Sequence, residues 1–353
     1  MPEFKHVVIV SDNIRGHYHQ SLGVAEWLAR LGGVKVEDPL ELQGISGMKK
    51  FFALKMQSRK IPRKNAEFSK KWLKSFGIET ENFKPGTLFI SAGSSAAPFC
   101  LALAKATENK SAVIMTPSVL GTKPFDYAIV PEHDAHDPND PKILTTLGAP
   151  NHIYEEATKE AAKNFFANRT FNKKVVTVLV GGNDANYEIT AHWAQEVLGD
   201  LKRFPDITIL ITTSRRTDEY VGHSIEEMFM SYPSTGYLLI LNRNPNVTAV
   251  TSMLGAATHV LVTEDSVSMV SEAVTAGFRV GLLRVPKSSS RIKKTFGWGT
   301  QRFDEMFRKM QERDLITDLG KFPDFDKFLA PDEQKHNHGF NEARRAAEWI
   351  LKN

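Results

Sequence analysis

Short β-branched runs alternate with helix-period segments along almost the whole chain, and this alternation limits the fold more than any other feature. It is the pattern of βαβ units, in which parallel strands lie between helices on both faces. In the first half the runs are His6 to Ser11, Val34 to Glu37, Thr87 to Ser91, Ala112 to Thr116 and Tyr127 to Val130. In the second half they are Lys174 to Val180, Ile207 to Thr212, Tyr237 to Leu241, His259 to Thr263 and Val280 to Leu283. Strands this continuously apolar are buried on both faces. The first crossover is the clearest: Gln20 to Leu31 places Leu22, Ala25, Leu28 and Ala29 on one helical face, and Gly32-Gly33 ends it. A second helix is expected from Ser94-Ser95, with Pro98 in its first turn.

At 353 residues the chain is too long for one ordinary core, so two domains are expected. Leu147-Gly148-Ala149-Pro150-Asn151 interrupts regular structure and is read as the hinge, followed by a helical pattern from Glu155 to Asn168. The expected fold class is α/β, two Rossmann-like doubly wound domains facing across a cleft, over residues 1–150 and 151–339. The amphipathic C-terminal segment, residues 340–353, is expected to pack back on the first domain.

Hydrophobic residues at 41% and charged residues at 24% exclude a disordered or fibrous chain. The single cysteine, Cys100, excludes an internal disulfide and a multi-cysteine metal site, which fits a reducing compartment. The apolar run at the N-terminus, His6 to Val10, is too short for a signal-peptide core, and no apolar stretch reaches about 18 residues. A cytoplasmic protein, peripheral on a membrane face at most, is expected. The net charge of +4 is concentrated between Lys49 and Lys74, which holds ten Lys or Arg and one acidic residue, Glu67. Phe51, Phe52, Leu54, Met56, Phe68, Trp72, Leu73 and Phe76 are interleaved with this segment and its end. Two readings stay open: amphipathic helices laid on an anionic membrane, or a helical excursion whose apolar side packs on its own domain.

In open α/β sheets ligands sit beyond the carboxyl ends of the strands, so loops that follow strands carry most weight. Ser11 to Gln20 is the first, with Gly16 to admit a ligand and His17 placed as a general base near neutral pH. His17 and Asp12 are the catalytic candidates, and His19 is assigned no role. Gly181-Gly182-Asn183-Asp184 follows a strand and precedes a helix expected near Tyr187, a setting in which free backbone N–H groups cradle phosphate. It lacks the third glycine of a dinucleotide fingerprint and the Gly-Lys-Ser/Thr ending of a P-loop. Thr212 to Thr217 brings hydroxyls and guanidinium groups together, with Thr213, Ser214, Arg215 and Arg216 as diphosphate contacts. The fourth loop runs from Thr263 into a helix ending at Gly277, with Glu264, Asp265, Ser266, Ser268 and Met269 at its start and Glu272 one turn in, open to two readings: an acceptor for ribose hydroxyls or a partner of the helix dipole.

Gly16-His17 with Gln20-Ser21-Leu22-Gly23, Pro131-Glu132-His133-Asp134, Leu144 to Ala149, Thr212 to Thr217 and Thr263 to Glu272, taken in order, resemble the mitochondrial-fission (elongated-mitochondria) family. Its bacterial members are described as sugar-nucleotide-related, and its plant members act in mitochondrial division. That family is in turn similar to GT-B transferases that add N-acetylglucosamine to lipid-linked peptidoglycan precursors. The resemblance implies GT-B architecture, a UDP-sugar donor on the second domain and an acceptor on the first. The chain departs from the transferase pattern in having only Gly16 in its first loop, Asp265-Ser266 for a Ser-Gly pair and Ser94-Ser95 for two arginines.

The expected function is a metal-independent, inverting glycosyltransferase acting on a membrane-associated or glycolipid acceptor, with the nucleotide sugar as substrate and no further cofactor. Lys287, Arg291 and Lys294 are looser diphosphate candidates. The run Glu132 to Asp137 is read as a solvated loop rather than a cation site, and His336 and His338 as tail or loop residues without a role. No nucleic-acid partner is expected. The alternatives are a non-enzymatic recruitment protein at a membrane surface and a nucleotide-sugar epimerase.

Overall fold

A computed structural model describes residues 3–43, 54, 56–134, 137, 139–288, 301–336 and 339–353. The chain forms two compact units, Met1–His152 with Asn341–Asn353, and Ile153–Phe340.

In unit 1 all strand pairings are parallel. β1 (His6–Ser11) is flanked by β2 (Lys35–Val36) and β4 (Thr87–Ala92), followed outward by β5 (Lys110–Ile114), β6 (Tyr127–Pro131) and β7 (Ile143–Thr146), while the short β3 (Leu40–Glu41) also pairs with β1. Chain order therefore reverses between β1 and β4, whose register pairs His6 with Thr87 and Ile9 with Ile90. Such a reversal opens a crevice at the carboxyl ends of the two strands, because the crossover helices leave toward opposite faces. The strands are Val-, Ile- and Phe-rich because both faces are covered. Val7, Ile9, Leu88 and Ile90 lie in one layer and Val8, Val10 and Phe89 in the other, all almost fully buried.

Helix α1 (Arg15–Gly32) begins five residues earlier than its apolar stripe, so Gly16 and His17 stand in its first turn instead of in a loop. It ends where expected, with Gly33 in the left-handed region (φ 65°). Helix α2 (Ala66–Lys74) starts with the Asn65 side chain accepting from Phe68 N, and α3 (Gly93–Thr107) carries Pro98 as its sixth residue, one turn further in than predicted.

The described part of the basic excursion packs on its own unit. Leu54, Ile61, Trp72 and Leu73 belong to the unit 1 core, the Trp72 ring lies 4.9 Å from Phe99, and Lys105 Nζ donates to the Ile61 and Lys64 carbonyls. Burying those side chains is favourable by about 1.5–3 kcal/mol each, so these four are not available to a bilayer, while Met56 and Phe76 are exposed. The amphipathic-helix-on-membrane reading is corrected for these residues; Lys49 to Phe52 and Lys55 lie outside the described residues.

In unit 2 the sheet is again parallel, in the order β10 (Thr235–Leu239), β9 (Ile207–Thr213), β8 (Lys174–Val180), β11 (His259–Thr263), β12 (Val280–Leu283), β13 (Ile316–Asp318). Here the order reverses between β8 and β11. Helix α4 (Glu155–Phe165) opens the unit and packs on α6 (Val250–Ala256); α5 (Glu219–Phe229) follows β9, and α7 (Val267–Thr275) follows β11. Helices α8 (Gln301–Glu312) and α9 (Phe325–Leu329) complete the unit.

The C-terminal helix α10 (Glu342–Lys352) belongs to unit 1. Ala343, Ala346, Ala347 and Ile350 are buried against that core, and the buried Glu342 accepts from Leu147 N at 3.0 Å. Among the described residues no helix is long and apolar enough to cross a membrane.

Candidate functional site

At the strand reversal of unit 1, Asp12 and Asn13 form the turn that links β1 to α1. Asp12 Oδ1 accepts from Ile14 N at 3.2 Å, Ser11 Oγ accepts from Asn13 N, and Asn13 adopts φ 63°. Short polar side chains that bond to nearby backbone make such turns. The turn leaves Asp12 Oδ2 2.9 Å from His17 Nδ1. The Asp12 side chain is 2% exposed and that of His17 24%. A buried carboxylate facing Nδ1 favours the proton on that nitrogen, which in the neutral ring leaves the lone pair on Nε2. Gly93, the first residue of α3, lies beneath the ring: its φ is 79°, and a Cβ there would stand 2.4 Å from His17 Cε1. Gly16 has open space around it, so within unit 1 its lack of a side chain serves no contact. His19 stacks edge-on against His152 at 4.3 Å, and burial lowers the His152 imidazole below its ordinary value. Ser94 Oγ accepts from Ser118 N.

At the reversal of unit 2 the loops after β8, β9 and β11 converge. Gly181 N donates to Thr263 Oγ1 at 2.7 Å and Gly182 N to Asp265 Oδ2 at 2.8 Å. Both N–H groups expected to cradle phosphate are therefore engaged by the protein itself, which corrects the reading of Gly181 and Gly182 as open donors. The expected helix near Tyr187 is also absent. Asp184 Oδ1 accepts from Asn186 N and Tyr187 N, Tyr187 bridges to Lys287, and helix resumes only at Ala191. Asn183 is internal too, its Oδ1 accepting from Ile189 N.

The hydroxyl and arginine loop is likewise closed on itself. Thr213 Oγ1 accepts from Leu241 N, and Ser214 is buried with its N–H donating to Thr217 Oγ1. Thr217 Oγ1 in turn donates to Gly181 O at 2.5 Å. Arg216 donates to Gly182 O and to Asp265 Oδ2, each at 3.1 Å, while Arg215 is exposed and donates to Pro245 O. Thr213, Ser214 and Arg216 hold the loops together, so their reading as open diphosphate contacts is corrected.

Glu264 is a further correction. Buried to 2%, it accepts from Val285 N at 2.9 Å and pairs with Arg284 at 2.6 Å. Arg284 also meets Asp318 at 2.6 Å and Asp304 at 3.1 Å. Burial opposes the Arg284 charge, yet the Asp318 and Glu264 carboxylates hold its pKa above the ordinary arginine value. Arg284, directly after apolar β12, was missed from sequence; a charge ending a buried strand was the signal. Burial likewise pushes the Asp265 carboxyl above the usual aspartate value, against the pull of Thr263, Gly182 N–H and Arg216.

What remains open to a ligand is the start of α7. Ser266 is the N-cap with no capping bond from its side chain, and Val270 N is the first N–H to bond back, to Ser266 O. Among the described residues nothing meets the N–H groups of Val267, Ser268 and Met269. Ser268 is exposed, Met269 half-buried, and Glu272 half-buried one turn further on. Such a terminus attracts anions through its free N–H groups and the helix dipole. His336 lies in a loop but is buried, with its ring nitrogen Nε2 2.8 Å from Val274 O. Arg291, Lys294, Ala135, His136 and His338 lie outside the described residues. Among the described residues no group of three or more His, Cys, Asp or Glu side chains is arranged to hold a metal ion.

The family model described as mitochondrial fission ELM1 matches residues 15–353, which takes in unit 1 from α1 onward and all of unit 2, while β1 and Asp12 precede it. The chain belongs to this family. No curated protein matches the ELM1-family chain significantly by sequence. Its fold is similar to that of UDP-GlcNAc 2-epimerase from Neisseria meningitidis bound to UDP-GlcNAc, at 14% identity and a TM-score of 0.52, covering 99% of each chain. An epimerase from Listeria monocytogenes gives 0.53 at 11% identity over 97% of this chain and 94% of that one. The glycosyltransferase SnogD from Streptomyces nogalater gives 0.50 at 10% identity over 99% and 94%. At such identities the likeness concerns the fold: two parallel-sheet α/β domains of GT-B type.

Proposed function

We propose that this ELM1-family chain is an inverting, metal-independent glycosyltransferase, with unit 2 holding a nucleotide-diphosphate sugar and His17 of unit 1 acting as general base. The observation that carries the reading is the Asp12–His17 pair at 2.9 Å at the strand reversal. With Nδ1–H held by the buried carboxylate, Nε2 takes the proton of an acceptor hydroxyl. The oxygen then attacks the anomeric carbon, and the bond to the diphosphate breaks with both electrons leaving on the phosphate. That charge is stabilised by preorganised donors, here the N–H groups of Val267, Ser268 and Met269 with the hydroxyls of Ser266 and Ser268. Glu272 is proposed to accept the ribose hydroxyls. A neighbour of similar fold holds UDP-GlcNAc, which supports a UDP-sugar as donor.

For the acceptor we propose a membrane-associated or glycolipid molecule. Lys70, Lys71 and Lys74 of α2 are exposed, and Arg59, Arg63 and Lys123 rim a recess of about 640 Å³. Clustered cations of this kind are drawn to anionic lipid surfaces.

A second reading, recruitment without catalysis, is favoured by the self-occupied Gly182 cradle. The experiment is release of UDP from labelled UDP-GlcNAc and other UDP-sugars, with and without lipid acceptors. Acceptor-dependent release is expected, falling about 10²- to 10⁴-fold in His17→Ala with UDP binding retained. Sugar interconversion without an acceptor indicates an epimerase, and failure of every nucleotide to bind indicates recruitment.

A further inference from the structure

The donors nearest the open start of α7 are already paired with an anion, and that anion is part of the chain. Asp265 Oδ2 receives Gly182 N–H at 2.8 Å and the Arg216 guanidinium at 3.1 Å, an arrangement that a phosphate oxygen would also satisfy. The carboxylate lies directly on the backbone of the β8 loop: a Cβ at Gly181 would stand 2.0 Å from Oδ2 and 2.4 Å from Oδ1. A side chain at Gly181 must displace the carboxylate. The Asp265 side chain is 0% exposed, and among the described residues Oδ1 meets no donor in hydrogen-bond geometry, although the Thr263 side chain lies close enough to favour the charged form. A buried carboxylate oxygen without a donor is costly, so a capping role alone leaves this seat unexplained. Asp184, 3.8 Å from Arg216, adds a second negative charge nearby.

We propose that Asp265 is a built-in stand-in for a phosphate group: it occupies the Gly182–Arg216 subsite and restricts a nucleoside diphosphate to the N-terminus of α7, thereby setting donor affinity. This inference rests on the nucleotide-sugar reading of unit 2. It makes Asp265 a specificity-determining residue that favours ligands with little negative charge at that subsite. It also assigns Gly181 and Gly182 the task of admitting a carboxylate.

The test is calorimetric titration of the full chain, and of its Asp265→Asn and Asp265→Ala variants, with UDP and with uridine, which carries no phosphate. UDP is expected to bind both variants about tenfold more tightly or better, with uridine affinity unchanged. A merely structural role for Asp265 would weaken both ligands together. Amide resonances of the wild-type protein give a readout that needs no variant: UDP is expected to shift Val267, Ser268 and Met269 and leave Gly182 in place. UDP affinity equal or weaker in the variants, or a Gly182 shift as large as those of α7 in the wild type, overturns the inference while the nucleotide-sugar reading stands. If neither the wild type nor a variant binds UDP, both fall together.

Discussion

His17 and Asp12 meet because a β1–α1 turn built on Asp12 and Asn13 brings positions five apart in sequence to hydrogen-bond distance. Asp12→Asn retains the size of that side chain but removes the charge that fixes the imidazole tautomer. Turnover is expected to fall about 10²-fold or more with thermal stability nearly unchanged, as read from single-turnover rates beside a melting curve. Gly93→Ala acts on the same ring from below. A left-handed φ costs a side-chain-bearing residue about 1–2 kcal/mol, and the added Cβ must push the imidazole aside, so both stability and turnover are expected to drop. Denaturant midpoints compared with rates check this, and an unaltered rate would mean that His17 does not depend on that seat. The place of His17 near the carboxyl end of the first strand was legible in the sequence, because the strand-loop-helix pattern sets it there. The seat was not, because Gly93 acts through its φ and through contact with a residue 76 positions earlier. Gly181, Gly182, Thr213, Ser214, Arg216 and Glu264 were misread for a related reason. Their residue types suit phosphate, but each already has a partner within unit 2: Thr263 for Gly181, Asp265 for Gly182 and Arg216, Leu241 N for Thr213, Thr217 for Ser214 and Arg284 for Glu264.

At the level of elements, the strand that ends at Thr263 links stability to the site. His259, the first residue of β11, is 0% exposed, and its imidazole is held down to about 4, chiefly by burial and then by Lys174. Because the folded value lies below the unfolded one, the unfolded chain binds the extra proton. Stability is full above about pH 6.5 and is lost as pH falls toward 4, by about 3 kcal/mol in all. Urea midpoints between pH 7 and pH 4.5 are expected to decline, and His259→Leu is expected to flatten that slope. Directly after the neighbouring strand β12, Arg284→Met leaves Glu264 buried and without its ion-pair partner, a change expected to cost about 3–5 kcal/mol by equilibrium denaturation. Most strands were legible because their apolar runs are bounded by Gly, Pro and polar turns. The helix expected near Tyr187 was not, since the Asp184 side chain closes a turn there and sends the backbone to pair with Lys287. The early start of α1 was also hidden: Arg15 to His19 carry no apolar stripe, and their helix is set by the Asp12 turn.

Across the whole molecule, each unit repeats one solution: a parallel sheet with a single reversal of strand order and an exposed helix start beside it. β-branched periodicity predicts that plan, and the return of α10 to unit 1 follows from its Ala and Ile face. The use of the basic excursion was ambiguous in the sequence because an amphipathic helix has the same pattern whether its apolar side meets lipid or Phe99. Here Trp72 and Leu73 meet the core, and the lysines of α2 face solvent. Association with anionic vesicles is therefore expected to be electrostatic, weakening steeply between about 50 and 500 mM salt, as sedimentation measures; salt-insensitive association would contradict it. The central claim is that unit 2 receives a nucleotide sugar at the start of α7, and titration of the full-length chain with UDP by calorimetry tests it most directly. Saturable one-to-one binding that is weakened in Glu272→Ala is expected; no detectable heat at millimolar UDP, or binding indifferent to Glu272, would contradict it.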